Sequence, residues 1–370
     1  MKIELKFLNK SEASLPPSPR TLGALRAPWA DGTVSTPLGE VPRVRTSLLT
    51  SDKLGSWKAR WGVGRMRYSV EPGLYAAGSP SAESPVLVTA NYKMSFDRLR
   101  SALRGMDAWI MVLDTRGINV WCAAGKGTFG TAEIVRRAAS TGLQSIVSHR
   151  TLVLPQLGAP GVSAREVRRQ SGFRAVFGPV RAQDIPEFMS RGMKASPEMR
   201  RVRFPFMERV VLIPMELLPM AKWAGIVAAA LFVLSGIGPG LFSVERMLSA
   251  GPLNAAAFAG IYVASTALGA ALLPWLPGRA FSAKGAWLGS ALFALLLALS
   301  GEFISGKAEA AAWALIATAV SSHMSMNFTG SSTYTSLSGV RREMRYAVPL
   351  QISGLATGIV LLVAGGFFAP

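Results

Sequence analysis

From Trp223 to the C-terminus, long stretches of the chain carry no charged side chain, and no other feature restricts its possible folds so strongly. The uncharged runs cover residues 223–244, 247–278, 285–301, 310–340 and 346–370. A bilayer core about 30 Å thick takes roughly 20 helical residues. Five spans are therefore expected, over about 223–244, 252–277, 285–304, 310–330 and 346–369; the third reaches full length only if it continues past Glu302. Lys and Arg near the ends set the orientation. Arg209, Lys222, Arg279, Lys284, Arg341, Arg342 and Arg345 fall on one side, and only Arg246 and Lys307 on the other. This predicts a multi-pass protein of the inner (cytoplasmic) membrane, its N-terminal part cytoplasmic and its C-terminus outside. A net charge of +19 then suits an anionic leaflet. No aromatic-plus-basic recognition motif accompanies that charge, so nucleic acid is not an expected partner.

Before the first run the composition is that of an ordinary globular domain. Residues 1–56 read as a poorly ordered extension, because Pro16, Pro17, Pro19, Pro28, Pro37 and Pro42 interrupt every short apolar run. No apolar signal segment follows the start. Residues 57–217 form the expected cytoplasmic domain and 218–370 the membrane domain. From Pro85 onward, strand and helix patterns alternate. Strands are expected at Pro85–Ala90, Ala108–Leu113, Leu143–Ser148 and Phe173–Phe177, with Ile118–Trp121 continuing extended. Ser95 and Thr131 are expected to cap helices, Ser163 with Glu166 to form a capping box, and Asp184 with Glu187 to open a last short helix. Such alternation argues for a mostly parallel sheet with flanking helices, whose ligands sit beyond the carboxyl ends of the strands.

The chemistry-bearing stretch is Asn119–Thr131, Asn-Val-Trp-Cys-Ala-Ala-Gly-Lys-Gly-Thr-Phe-Gly-Thr. It holds the single cysteine, Cys122, which excludes an internal disulfide and fits a reducing compartment. The thiol is expected beside a helix N-terminus and Lys126, where an anionic ligand is well placed. Ala123, Ala124 and Gly125 would let a broad, flat ligand approach the backbone. Three readings compete. Cys122 is a buried structural thiol; or Gly125, Gly127 and Gly130 spell a nucleotide-binding G-x-G-x-x-G; or Cys122 is the single axial ligand of a metal held by a macrocycle. The nucleotide reading lacks the acidic residue that would hold a ribose, and one thiolate cannot hold an iron–sulfur cluster or a structural zinc. Thr89, Asn91 and the loop Leu154–Gly161 are further rim positions. His149 reads as a structural or rim residue, since no D-x-H-x-x-G surrounds it.

Asn119–Lys126 resembles the signature of the mercury-methylating corrinoid proteins, the HgcA family. Similar stretches run over residues 57–75, 85–98, 107–131, 148–161, 173–185 and 326–343. The resemblance implies an α/β Rossmann-like corrinoid-binding domain, related to the large subunit of the corrinoid iron–sulfur protein, followed by an all-α transmembrane domain of about five helices. It implies a cobalamin-dependent methyltransferase that passes methyl from cobalt to Hg(II), as a carbanion-like or radical species. Cys122 would be the lower axial ligand, and Asn119, Val120, Trp121, Ala123, Ala124, Gly125, Lys126, Gly127, Thr128, Thr89 and Asn91 would surround the corrinoid. Methyl would arrive from a folate-linked pathway. With Cys122 occupied by cobalt, electrons and mercury-binding thiolates must come from elsewhere, and the family's partner is a ferredoxin-like iron–sulfur protein. Two alternatives stay open: a corrinoid methyl carrier with a non-mercury acceptor, and a membrane transporter or sensor with a nucleotide-binding domain. Within the fourth span, Ser321, Ser322, His323, Asn327 and Thr329 either glue helices together or, with Met324 and Met326, form a path for a soft metal.

Overall fold

The computed structural model describes residues 27–299, 304, 306–331 and 337–367. The chain divides into two compact units, with the boundary between Val202 and Arg203 rather than at 217; Arg60–Gly62 group with the second. In the first unit β1 (Ala30–Thr36), β2 (Gly39–Val44) and α1 (Thr50–Arg60) come first. They are followed by β3 (Gly73–Ala77), β4 (Val86–Ala90), α2 (Lys93–Ala102), β5 (Ala108–Leu113), α3 (Val120–Lys126), α4 (Thr131–Ser140) and α5 (Leu143–Ile146). The unit closes with β6 (Thr151–Leu154), α6 (Ala164–Ser171), β7 (Arg174–Phe177) and α7 (Ile185–Ser190).

One mixed sheet runs through this unit in the order β1-β2-β3-β5-β4-β6-β7. The half β5-β4-β6-β7 is parallel, whereas β3 runs antiparallel to β5. Every residue of β4 and β5 is buried, as expected of apolar strands covered on both faces. On one face α3, α4 and α6 bring Val120, Ala123, Ile134, Ala138 and Val167 into the core. On the other, α2, the Leu103 that follows it and α7 contribute Phe96, Leu99, Leu103, Ile185 and Phe188. The chain steps from β4 outward to β5, then crosses back over β4 to β6. The direction of winding therefore reverses between β4 and β6, and a ligand crevice is expected beyond their carboxyl ends.

Several expectations need correction. Residues 30–44 are a hairpin joined to the sheet, not a loose extension: Thr36 pairs with Gly39 across the turn, and Arg43 and Val44 continue onto β3. Pro37 lies in that turn, and the parallel pairing to β3 starts only after Pro42, so neither proline interrupts the ladder it would break. The N-terminal segment is also pinned by charge. Lys93 contacts Asp52 at 2.7 Å and Asp97 at 2.6 Å, and Arg100 contacts Asp52 at 2.6 Å and Asp97 at 2.7 Å, all four side chains buried. Residues 1–26 lie outside the described residues. Leu143–Ser148 forms the turn α5 and its exit, and the strand there is Thr151–Leu154. Tyr92 and Gly130, not Ser95 and Thr131, precede the first turns of α2 and α4. The Ser163–Glu166 cap is present, with Gly172 at its far end.

In the second unit α8 (Phe206–Val210) leads into α9 (Ile213–Leu234), and a two-stranded turn, β8 (Ile237–Gly238) and β9 (Leu241–Phe242), follows. Then come α10 (Val244–Leu272), α11 (Phe281–Leu299), α12 (Lys307–Asn327) and α13 (Leu337–Gly365). Among the described residues, four helical segments are long and apolar enough to cross a membrane: Phe206–Leu234, Val244–Leu272, Phe281–Leu299 and Ser338–Gly365. The first begins well before Trp223 and ends at Leu234, because glycines 236, 238 and 240 turn the chain. The continuation of the third past Glu302 lies outside the described residues. The expected fourth span, α12, is not among these four, because Glu309, His323 and Asn327 together with three serines lower its hydropathy. It is instead heavily buried, with Trp313, Ile316 and Ala317 inaccessible. Close backbone approach makes this possible. A Cβ at Gly285 or Gly289 of α11 would lie 2.3 Å and 2.5 Å from carbonyl oxygens of α12, and one at Gly358 of α13 would lie 2.7 Å from Ile316 Cγ1. Ser265 and Ser321 hydrogen-bond at 2.6 Å inside that packing.

Candidate functional site

Asn119 starts a helix where an extended segment was expected. Its backbone is extended and its side-chain oxygen accepts the Cys122 amide hydrogen at 2.9 Å, a standard N-cap. Gly127, at φ 79°, ends the helix in the left-handed conformation that glycine tolerates best. Val120 and Trp121 are strand-prone by composition, but a cap on one side and a glycine stop on the other settle seven residues as α3. Val120, Ala123 and Ala124 face the core. Trp121, Cys122, Gly125 and Lys126 are exposed on the opposite side. Cys122 is thus an accessible thiol and not a buried structural one. One turn beyond it, a Cβ on Gly125 would meet no atom within 4 Å. The exposed strip of α3 therefore combines one thiol, one bare glycine, an indole and an ammonium.

Asn91 fixes where this helix begins. Buried at the carboxyl end of β4, its Oδ1 accepts hydrogen bonds from the Thr115 amide at 3.0 Å, the Thr115 hydroxyl at 2.8 Å and the Gly117 amide at 2.9 Å. That oxygen, with Asn91 Nδ2 donating to Asp114 Oδ1 at 3.4 Å, holds the loop between β5 and α3 to β4. Glu133 of α4 accepts from the Asp114 amide at 2.8 Å and pairs with Arg137 at 2.9 Å, bracing the loop from the other side. Thr89 lies inside β4, buried and paired with Val112. Val88 and Ala90 of β4 pack on the α3 side and Leu87 on the other, so Thr89 points to the sheet face away from the exposed strip, and only Asn91 supports it. Thr128 is half-buried, and its hydroxyl donates to the Ala123 carbonyl at 3.4 Å.

The loop after β6 completes the surroundings. Residues 156–161 form a short 3-10 turn packed on α3. A Cβ on Gly161 would lie 2.3 Å from the Phe129 carbonyl and 3.0 Å from Ala124 Cα, and one on Gly158 would strike the Phe129 ring. Both glycines are there for contact. Within this loop, Gln156 Oε1 is buried without a hydrogen-bond partner among the described residues. Such an orphan acceptor, at the carboxyl end of β6 beside the winding reversal, is a feature that motif reading passed over. The Pro-Gln-Leu-Gly run after a strand was its only signal.

Two competing readings lose ground here. G-x-G-x-x-G requires a strand before the loop, but Gly125 lies in α3, Gly127 ends it and Gly130 opens α4. The glycines link two helices. His149 has both ring nitrogens engaged, Nε2 with the Ser84 carbonyl at 2.9 Å and Nδ1 accepting from the Thr151 amide at 3.2 Å. It braces the amino end of β6, opposite the rim that carries Cys122. No group of three or more His, Cys, Asp or Glu side chains able to hold a metal occurs among the described residues. A metal at Cys122 would therefore need its remaining ligands from a prosthetic group. The donor set fits a corrinoid: one accessible soft sulfur for the axial position, beside a glycine that leaves the helix face flat.

Residues 63–189, from before β3 into α7, match the family described as CO dehydrogenase/acetyl-CoA synthase delta subunit. Among curated proteins, the gamma subunit of the acetyl-CoA decarbonylase/synthase complex of Methanopyrus kandleri is 34% identical over 125 residues, 33% of this chain and 26% of that protein. The corresponding subunit of Methanosarcina acetivorans is 34% identical over 135 residues, 34% of this chain and 28% of its own length. That of Archaeoglobus fulgidus is 29% identical over 129 residues, 34% of this chain and 27% of its own length. The chain thus spans only about a quarter of the length of these relatives, and the family match, residues 63–189, includes α3 but not β1, β2 or α1.

Proposed function

We propose that this chain is a membrane-anchored, corrinoid-dependent methyltransferase whose acceptor is inorganic Hg(II). The observation that carries this reading is the exposed Cys122 thiol on a capped helix at the carboxyl rim of a parallel sheet, with bare Gly125 one turn away. Cys122 thiolate would hold the cobalt of the corrinoid. Trp121, Gly125, Lys126 and the Gly127–Thr128 turn would bound the ring, and Asn119 would fix the sulfur by capping its helix. When bound, the corrinoid would supply methyl-transfer chemistry toward a soft acceptor, with the Cys122 thiolate as its protein donor. Asn91 and Glu133 keep the loop before α3 in place, so the sulfur is presented from a rigid support. Electrons and mercury-binding thiolates would come from a ferredoxin-like iron–sulfur partner, and methyl from a folate-linked donor.

The anchor would be the five-helix unit, with α12 as the shielded central helix. Its 21 residues are long enough to cross at about 1.5 Å each. With five crossings the α/β unit lies in the cytoplasm and the C-terminus outside. The test is anaerobic reconstitution of the full chain with cobalamin, comparing the cobalt spectrum of wild type and Cys122→Ala. Methylmercury formation with the reduced iron–sulfur partner is measured alongside. An unchanged spectrum in Cys122→Ala would end the proposal.

A second reading is favoured by the match of residues 63–189 to acetyl-CoA decarbonylase/synthase subunits: a corrinoid methyl carrier serving one-carbon metabolism. It keeps Cys122 and changes only the acceptor. Cobalt binding without methylmercury formation, together with methyl transfer to a carbon-metabolism acceptor, would select it.

A further inference from the structure

The second unit contains a cavity of about 250 Å³, lined almost wholly by apolar side chains of α9, α10, α12 and α13. Its wall includes the thioethers of Met220 and Met324, the indole of Trp223 and the imidazole of His323, and it contains no carboxylate. Met326 and Asn327, which the sequence groups with Met324, do not line it, whereas Met220 from another helix does. His323 is held in one tautomer. Gln351 donates its Nε2 hydrogen to Ser322 Oγ at 2.9 Å, so its Oε1 faces His323 Nδ1 at 3.1 Å. An amide oxygen only accepts, so Nδ1 is the donor in this pair, and the neutral tautomer that fits it carries its lone pair on Nε2. An imidazole that donates one N–H to a carbonyl and keeps the other nitrogen basic has the arrangement of a metal-ligating histidine. Thioethers and imidazole are soft to borderline donors, and without a carboxylate a hard or highly charged cation has nothing to offset its desolvation.

We propose that this cavity binds the methylmercury cation, with His323 Nε2 as its donor nitrogen and Met220 and Met324 as flanking sulfurs. The cation carries one positive charge, prefers soft donors and has an apolar methyl group that suits the remaining wall. The inference rests on the mercury-methylating reading, for it gives that product a place within the helical unit.

The single cysteine makes a clean test possible. In the Cys122→Ala chain no thiol is left to compete, so retained mercury must sit on other donors. Full-length Cys122→Ala in lipid nanodiscs, in thiol-free buffer, is titrated with methylmercury chloride, and bound mercury is counted by elemental analysis after dialysis against empty discs. One saturable equivalent is expected. It should weaken at least tenfold in His323→Phe and disappear in Met220→Leu/His323→Phe/Met324→Leu. Met207→Leu/Met344→Leu, at exposed methionines, should leave it unchanged. If the triple variant does not fold, His323→Phe and the nearly isosteric Met324→Leu decide the matter separately. Absence of a saturable equivalent, binding equal to that of empty discs, or binding indifferent to His323 would overturn the inference. Wild-type methylmercury formation, assayed in parallel, separates the two failures: turnover without cavity binding rejects only this site, and cavity binding without turnover rejects only the reaction.

Discussion

Gly125 offers a substitution whose effects on the fold and on the ligand should have opposite signs. It lies inside α3, and an added Cβ meets no heavy atom within 4 Å. Glycine within a helix costs about 0.5–1 kcal/mol relative to alanine. Gly125→Ala should therefore stabilise α3 by about that amount and slow exchange of its amide hydrogens by roughly two- to fivefold. The same methyl group would stand on the face that Cys122 shares, where the proposal seats a flat ring. A methyl inserted into a close contact costs about 1–3 kcal/mol, so cobalamin retention should fall by roughly tenfold or more. Gly127→Ala is the counterpart, since Gly127 sits at φ 79°. There alanine adds backbone strain of about 1–2 kcal/mol, and stability and retention should decline together. The assay is hydrogen exchange of residues 120–126 in the apo chain, paired with cobalt content after anaerobic gel filtration. A Gly125→Ala chain with faster exchange, or one that is more protected and keeps wild-type cobalt, would refute the placement of the ring on this face.

Asn119→Ala should cost about 1 kcal/mol by removing the cap and should reduce cobalt retention, while Asn119→Ser should restore both; a deficient Ser variant would show that Asn119 acts by direct contact instead. Asn91→Ala leaves the Thr115 and Gly117 amides without their acceptor, while the Thr115 hydroxyl keeps the Ile118 carbonyl, and at about 1–3 kcal/mol per buried group it should lower thermal stability of the α/β unit by about 2 kcal/mol or more. Burial pushes the Asp52 carboxyl up, but hydrogen bonds from Lys93, the Leu49 amide and Arg100 outweigh that and hold it below the ordinary carboxylate value. A lowered native value means that its contribution is complete above the unfolded value of about 4 and is lost as the pH falls through the native one. Acid titration of unfolding should therefore show a loss below about pH 4 that Asp52→Asn lacks. Asp52→Asn should also cost about 3–5 kcal/mol at neutral pH, because it breaks a buried charge network.

How far the sequence revealed this arrangement depends on which interaction settled each element. β4 and β5 were legible because apolar runs covered on both faces leave their mark in composition. The Ser163 cap was legible because its signal is local. α3 was not, since Val120, Trp121 and Cys122 favour strands while the deciding features are a cap at 119 and a glycine stop at 127. That pair, eight positions apart, was available as a signal. The hairpin at 30–44 was hidden by prolines whose harmlessness depends on which ladder positions they occupy. Cys122 stood out by its uniqueness, but the support that Asn91 gives to Thr115 and Gly117 is a long-range contact with no motif. Gln156 and the His323–Gln351 pair are likewise set by tertiary placement.

The glycine contacts around α12 also bear on how the chain is assembled. If the bundle lies in a bilayer, α12 is too polar to partition on its own, and its buried serines would meet lipid on every side. The faces that accept it belong to α11, made just before it, and to α13, made after it. The fourth crossing would then be secured only when the fifth is complete, so a chain cut short before residue 337 should leave α12 outside the bilayer or stranded, and open to degradation.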